Sequence, residues 1–213
     1  MNAPKPAIAM ARDERSDLLD LLRTLSPEQW NAPSLCRGWS VKDVAAHMIS
    51  YDDLGIGGIV KRFIKGRVVW ANEAGVEEYR PLSTDKLLKI FEQRLTPTGL
   101  TAGLGGMIGL VDGTIHHQDI RRALDQPRQI PSDRPATVIA AVPSNPRLGA
   151  HKRIKGLRLV ADDLDWTHGQ GQELRGPGEA IMMAVSGRAH ALSDLSGPGL
   201  PILAGRVDTQ RAT

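Results

Sequence analysis

Between residues 18 and 124 the chain repeats one pattern, in which apolar residues recur at helical spacing and turn signals separate the segments. The first segment places four leucines at i, i+3, i+4 and i+7, on one face of a helix: Leu18, Leu21, Leu22 and Leu25. An apolar face of this kind must be buried against a partner, because intrinsic propensity rarely stabilises a short helix alone. The pattern therefore predicts packed helices in this part of the chain.

Capping residues or glycines mark the starts of three further helices. The clearest start is Ser40, which has the spacing of a capping box with Asp43 and predicts a helix to about Asp53. Four amphipathic helices joined by loops predict a four-helix bundle, with a short extra helix in the long connection 55–82. The remaining two helices are expected after Ser83 and over 107–124.

The second half of the chain has a different character. A polar segment with three prolines separates it from the helical part and predicts a linker. Beyond the linker, alternating residues over 156–161 predict a strand, and a helix is expected over 179–192. The whole chain is therefore predicted to be of the α+β class. Its expected parts are a four-helix bundle over 1–125, a linker over 126–135 and a small α/β domain over 136–213.

Composition and charge exclude several classes of protein. The 27 basic and 24 acidic residues leave a net charge of only +3, so a dedicated nucleic-acid-binding protein is not expected. The first 16 residues lack an apolar core of signal-peptide length, and the longest uncharged run, 95–111, is too short and too polar to span a bilayer. The single cysteine, Cys36, cannot form an intramolecular disulfide. We therefore expect a soluble, cytoplasmic protein with no membrane partner.

One helix of the predicted bundle carries residues that suit metal binding. Asp112 and His116 are four residues apart and share a face, and Asp119 follows three residues later on that face. His117 is turned away by about 100°. A carboxylate and an imidazole in this arrangement can reach one metal ion, with a third ligand from another helix. His47 is the natural candidate, since it lies on the inward face of the predicted capped helix.

The same residues also have simpler interpretations. A histidine on a half-apolar helix face is more often a core or surface residue than a ligand, and Asp/His pairs at this spacing also occur as surface contacts. Asp119 could instead pair with Arg121 or Arg122 in solvent. Cys36 lies among apolar residues, where a lone cysteine is usually a packing residue rather than a nucleophile.

Two stretches of the sequence carry a family resemblance. WNAPSLCRGWSVKDVAAH, from Trp30 to His47, and IHHQDIRRAL, from Ile115 to Leu124, resemble two motifs of the mycothiol-dependent maleylpyruvate isomerase family. This family belongs to the wider DinB-like group of metalloenzymes. The tail is similar to the family's small C-terminal α/β domain, which is itself similar to sterol carrier proteins. The tail residues that carry this similarity are Gly176-Pro177, Ser186-Gly187-Arg188 and Gly197-Pro198-Gly199-Leu200.

The resemblance implies a DinB-like four-helix bundle and a metal site. Family members bind a divalent metal, usually zinc, through a histidine of the first motif, an acid, and a histidine four residues after the acid. Carried over to this chain, these ligands are His47, Asp112 and His116. The family acid is commonly Glu, so Asp112 is one methylene shorter than the usual ligand.

The resemblance also implies a chemistry. A low-molecular-weight thiol, mycothiol, binds the metal as a thiolate and attacks an electrophilic small molecule, with thiol transfer or cis–trans isomerisation as the outcome. An arginine of the second domain helps to bind a substrate carboxylate, and Arg188 matches that position. The other interpretation of Arg188 is a surface residue that interacts favourably with a helix dipole.

The leading hypothesis is therefore a metal-dependent mycothiol transferase or isomerase, expected as a monomer or homodimer. A second hypothesis is a non-catalytic metal- or ligand-binding or interaction protein on the same fold, which the replacement of Glu by Asp112 motivates. A third is metal-assisted hydrolysis, in which a metal-bound water takes the place of the thiolate.

Overall fold

The structure is a computed structural model that describes residues 5–52, 54–65 and 71–208. The chain forms two compact units, Met1–Arg128 and Gln129–Thr213. The described part of the first unit is helical, and that of the second combines helices with a three-stranded sheet. The predicted α+β class is confirmed.

The described part of the first unit contains seven α-helices. Two turns of 3-10 helix, Gly99–Ala102 and Leu104–Gly106, join the last two of them. The α-helices are α1 (Ala7–Thr24), α2 (Pro27–Asn31), α3 (Val41–Ile49), α4 (Ile56–Lys65), α5 (Ala71–Tyr79), α6 (Thr84–Gln93) and α7 (Met107–Ala123).

Four of these helices form a bundle, because each packs against two of the others. Helices α1 and α3 lie opposite one another, and both contact α6 on one side and α7 on the other. The core between them is apolar and fully buried, and every helix contributes to it: Leu18 and Leu22 from α1, Val44 and Met48 from α3, Leu87 and Phe91 from α6, and Ile120 from α7. Helix α5 packs on the outside of α3, and α4 packs on α5.

The capping box at the start of α3 forms as the sequence predicts. The hydroxyl of Ser40 accepts from the backbone N–H of Asp43, and the Asp43 carboxylate accepts from the backbone N–H of Ser40. The helix ends at Ile49, earlier than the predicted end near Asp53, which lies outside the described residues. Residues 50–52 form a turn directly after the helix, and Asp52 makes a buried ion pair with Arg15.

The ion pair between Arg15 and Asp52 joins three helices of the bundle. The guanidinium of Arg15 donates to Asp52 Oδ2 at 2.6 Å, to the carbonyl of Met48 at 2.7 Å and to the carbonyl of Arg94 at 2.6 Å. Asp52 also accepts from the hydroxyl of Thr101. Since α1 carries Arg15, this contact fixes the ends of α3 and α6 against α1.

The connection 55–82 contains two helices in its described part, α4 and α5, where the sequence predicts one. Residues 66–70, between them, lie outside the described part of the chain. No helix among the described residues has the length and the apolar character needed to cross a membrane.

The described part of the second unit combines short helices with three strands. In chain order these elements are α8 (Pro135–Ala141), α9 (Ala150–Arg153), β1 (Leu157–Ala161), β2 (Thr167–Gly169), β3 (Gln172–Gly176), α10 (Gly178–Val185) and α11 (Leu200–Asp208). The strands form a small sheet of order β2-β1-β3. Strand β1 is antiparallel to β2 and parallel to β3, and the central pair Leu159 and Leu174 is buried. Helix α10 packs against the sheet and against the neighbouring helices.

The helix predicted over 179–192 is broken in two. Helix α10 ends at Val185, and a 3-10 helix, Ala189–Asp194, follows it. Gly187 adopts a left-handed φ of 96°, and the backbone N–H groups of Gly187 and Arg188 donate back into the last turn of α10. These contacts form a Schellman cap, which depends on the glycine. The cap ends the helix even though the residues after it continue the helical sequence pattern.

Candidate metal centre

Helices α3 and α7 bring three potential metal ligands together in the first unit. His47 lies on α3, and Asp112 and His116 lie one turn apart on α7. The Oδ1 atom of Asp112 is 3.5 Å from Nε2 of His47 and 3.5 Å from Nε2 of His116. All three ligand atoms lie within 4.8 Å of one another, so the residues that the sequence predicts do converge.

The spacing of these atoms fits a tetrahedral metal ion. With metal–ligand bonds of about 2.1 Å, the edge of a tetrahedron between two ligand atoms is about 3.4 Å. The separations of 3.5 Å from Asp112 Oδ1 to both histidine nitrogens match that edge. Two imidazoles and one carboxylate are also a donor set of catalytic zinc sites. The side chain of Asp112 is therefore long enough for a ligand at this position.

The two histidines of the site are more buried than its carboxylate. The side chains of His47 and His116 are 6% and 12% exposed, whereas that of Asp112 is 32% exposed. Asp112 is therefore the most exposed of the three potential ligands.

Aromatic residues surround the ring of His47. The ring of Trp39 lies 5.0 Å from it between centroids, and the ring of Tyr51 packs edge-on at 6.2 Å. Both aromatics are anchored to α5, because Trp39 Nε1 donates to Glu73 at 2.7 Å and the Tyr51 hydroxyl donates to Asn72 at 2.7 Å. Sequence reasoning did not assign these residues to the site, although the position of Tyr51 one turn after His47 is a signal for it.

His116 has polar neighbours on the side away from Asp112. Its Nδ1 lies 2.9 Å from Oδ2 of Asp119, and Cys36 Sγ donates to the same carboxylate oxygen at 3.0 Å. Cys36, His116 and Asp119 form a second group of potential ligand atoms among the described residues. Asp119 is fully buried, which overturns its alternative interpretation as a solvent-exposed partner of Arg121 or Arg122.

The electrostatics of the site favour a charged carboxylate beside charged imidazole. Burial raises the pKa of Asp112, but the charges and hydrogen bonds of His116 and His47 outweigh burial and hold that pKa well below its usual value. Burial lowers the pKa of His116, but the charge and hydrogen bond of Asp112 and the hydrogen bond of Asp119 raise it well above its usual value. A metal ion that binds these ligands therefore competes with protons.

His117 points away from the site, as the helical period predicts. It is fully buried, and its Nδ1 donates to Glu14 at 2.8 Å while its Nε2 accepts from Arg121 at 2.8 Å. This arrangement requires the neutral ring, and burial lowers the pKa of His117 to about 4. Arg128 completes the network with an ion pair to Glu14.

Arg188 lies in the second unit, directly after the cap of α10. It is half-buried, and its guanidinium donates to the carbonyl of Ser186 at 2.9 Å. Its predicted role in binding a substrate carboxylate stays a prediction, as do the ligand roles of His47, Asp112 and His116.

Comparisons with known proteins agree with the resemblance found in the sequence. Residues 11–98 match the family model of the mycothiol maleylpyruvate isomerase N-terminal domain; the matched segment contains His47 and ends before Asp112. A crystal structure of a mycothiol-dependent maleylpyruvate isomerase with one histidine mutated to alanine is similar at a TM-score of 0.60 and 13% identity, over 90% of this chain and 91% of that one. A crystal structure of the mycothiol-dependent maleylpyruvate isomerase without that mutation noted is similar at a TM-score of 0.55 and 12% identity, with the same coverage. No curated protein matches the chain significantly. The resemblance is therefore confirmed, and the likeness to the solved structures extends the shared fold over most of the chain.

Proposed function

We propose that this chain, which carries a mycothiol maleylpyruvate isomerase N-terminal domain over residues 11–98, is a divalent-metal-dependent enzyme that uses a low-molecular-weight thiol. Its substrate would be an electrophilic small molecule, and the outcome either thiol transfer or isomerisation of the maleylpyruvate type. The observation that carries the proposal is the pair of 3.5 Å separations from Asp112 to His47 and His116, which suit one tetrahedral metal ion.

The three ligands set the conditions for this chemistry. When bound, a divalent metal would lower the pKa of a coordinated thiol and hold it as a thiolate, the nucleophilic form. Two neutral imidazoles and one carboxylate would leave positive charge at the site, which favours an anionic fourth ligand. Three protein ligands also leave a position for such a ligand, as in catalytic zinc sites.

The residues around His47 would hold its ring in place and keep water away from the site. Trp39 and Tyr51 pack against its ring, and their hydrogen bonds to Glu73 and Asn72 hold them in place. Their apolar surfaces would exclude water from one side of the reacting atoms, which strengthens the electrostatic interactions there. The more exposed Asp112 side is the expected route for the thiol and the electrophile.

Arg188 is the residue that we assign to the carboxylate of the electrophile. The sequence resemblance and the guanidinium chemistry support this role, since a guanidinium matches a carboxylate with two parallel hydrogen bonds. Replacing Arg188 by Ala should raise KM for a carboxylate-bearing electrophile about tenfold or more and leave metal content unchanged. Arg158→Ala, at an exposed arginine on β1 that pairs with Glu173, is the matched control.

The test is turnover by the zinc-loaded full chain with mycothiol and a panel of electrophiles that includes maleylpyruvate. Isomerisation needs thiol but does not consume it, whereas transfer consumes one thiol per product, so thiol titration separates the two. Asp112→Ala and His116→Ala should abolish either activity. Metal binding without turnover of any electrophile would contradict the proposed enzymatic activity. It would favour the hypothesis of a non-catalytic binding protein. Turnover without added thiol would favour metal-assisted hydrolysis instead.

A further inference from the structure

The loop between α2 and α3 is attached to α7 at Asp119. The backbone N–H of Leu35 donates to the Asp119 carbonyl at 3.3 Å, and Cys36 Sγ donates to its carboxylate at 3.0 Å. Asp119 is completely buried, so its carboxylate depends on protein donors in place of water. Sequence reasoning assigned Cys36 to packing, and it does pack beside the bundle core, but it also has this polar contact.

The same carboxylate holds the ring of His116. Its Oδ2 atom lies 2.9 Å from His116 Nδ1, on the ring edge opposite the nitrogen that faces Asp112. A carboxylate at Nδ1 places the proton there and leaves the lone pair of Nε2 directed at the metal position. It also restrains rotation of the ring about the bond that joins it to Cβ.

Hydrogen bonds within the loop hold Cys36 and Trp39 relative to one another. Ser34 Oγ accepts from the Cys36 backbone N–H at 3.1 Å and donates to the Trp39 carbonyl at 2.8 Å, and Gly38 supplies the left-handed turn between them with a φ of 77°. Trp39, near the end of this loop, packs against the ring of His47. The short segment 33–40 therefore contacts both histidines of the centre. Trp39 packs against His47, and Cys36 Sγ lies 3.4 Å from His116 Nδ1 in addition to its contact with Asp119.

We infer that Asp119, held in place by Cys36, is a positioning residue that fixes the orientation and tautomer of His116 for metal binding. The inference rests on the proposed metal site and assigns a role to two residues outside the ligand set. It also gives a physical reason for the sequence of the loop: Cys36 supplies the donor, Gly38 the turn and Trp39 the wall beside His47.

The test is metal affinity of the full chain, measured as dissociation constants for Zn²⁺ and Co²⁺ by competition with a chelator. Asp119→Ala and Asp119→Asn should weaken binding roughly 10- to 100-fold, the usual effect of losing a carboxylate behind a histidine ligand. The visible absorption of the Co²⁺ form should also change, because it reports ligand geometry. Cys36→Ala should weaken binding less, and Cys36→Ser, which keeps a donor, should restore the affinity of the original chain.

The control is Asp125→Asn, which removes one negative charge just beyond α7 at an exposed position whose positive φ Asn tolerates. It should leave both the affinity and the Co²⁺ spectrum unchanged. Circular dichroism would show whether Asp119→Ala folds. If it does not, the isosteric Asp119→Asn variant provides the test of the role of Asp119. Unchanged affinity and spectrum in a folded Asp119→Asn variant would overturn the inference while the metal site stands. Failure of the unmodified chain to bind either metal would overturn the proposed function, and the inference with it.

Discussion

Arg15 illustrates, at the scale of a single residue, how much a buried charge depends on its partners. Its side chain is 2% exposed and that of Asp52 is fully buried, so both charges have lost their hydration. The Asp52 carboxylate and the Thr101 hydroxyl accept hydrogen bonds from the guanidinium in place of water. Two backbone carbonyls also accept, one from α3 and one from the residue after α6. Removing one partner of such a pair leaves the other charge buried without compensation.

We predict that Arg15→Met lowers the free energy of unfolding by roughly 3–5 kcal/mol, because it leaves Asp52 as an uncompensated buried carboxylate. Urea unfolding at neutral pH measures this. The control on the same helix is Arg23→Ala, at a residue that pairs with Asp20 and Glu92 in solvent, and its cost should stay below about 1 kcal/mol. Equal effects of the two variants would show that the buried pair has no special role.

Glu14 should make stability depend on pH in acid. Burial raises its pKa, but the hydrogen bond from His117 and the charge and hydrogen bond of Arg128 outweigh burial and lower it from 4.5 to about 2. A lowered carboxylate pKa means that the unfolded chain takes up the proton first. The stabilisation is therefore complete above pH 4.5 and is lost as the pH falls toward 2.

The variant Glu14→Gln tests this linkage. It should be less stable than the original chain at pH 6, and the difference between the two should shrink by roughly 2 kcal/mol by pH 3. Urea unfolding of both proteins across this range gives the difference directly. A difference that does not vary with pH would mean that the Glu14 carboxylate titrates alike in the folded and unfolded chain.

At the scale of the element, the start of α7 determines how closely it approaches α1. Gly106 precedes the helix with a φ of 93°, and a Cβ atom there would lie 2.4 Å from the Cα of Ile8. Gly105 also has a positive φ, of 67°, but a Cβ atom there would meet nothing within 4 Å. Alanine at Gly105 would therefore introduce backbone strain alone, whereas alanine at Gly106 would introduce strain and a steric clash.

Gly105→Ala should cost about 1–2 kcal/mol, the strain of a side chain in the left-handed region. Gly106→Ala should cost about 3 kcal/mol or more, because the same strain is joined by a clash that moves α1 away from α7. Thermal or urea unfolding of the two variants compares them. A Gly106→Ala variant as stable as Gly105→Ala would contradict the close packing of the two helices.

The elements also show which parts of the fold a sequence can predict. Helix starts were predictable, because the caps at Ser40 and Ser83 are local in the chain and form as expected. Helix ends were less so. The end of α3 involves the pairing of Asp52 with Arg15, which is 37 residues away, and α10 ends at the local cap of Gly187, which the helical pattern conceals.

At the scale of the whole molecule, the candidate metal centre belongs to one unit. All three proposed ligands lie within Met1–Arg128. Two of them could be predicted from the residues alone, because a separation of four places side chains on one helix face. His47 was a candidate from its helix face, and the family resemblance strengthened it. The contact of Cys36 with Asp119 was not predictable, since 83 residues separate them.

We predict that a polypeptide of residues 1–128 binds one equivalent of zinc with an affinity close to that of the full chain, because it contains every proposed ligand and the loop that braces them. Residues 129–213 should bind none at this affinity. Calorimetric titration of the two pieces provides the comparison. A folded 1–128 piece that binds no zinc while the full chain does would place part of the site in the second unit.

The metal content of the purified full chain tests the central claim most directly. Elemental mass spectrometry should find about one zinc per chain, and none in His47→Ala or His116→Ala, since each removes one of only three protein ligands. His151→Ala, at an exposed histidine on α9, should keep its zinc. Absence of metal from the original chain, even after incubation with zinc, nickel or manganese, would contradict the account, as would full zinc occupancy in both ligand variants.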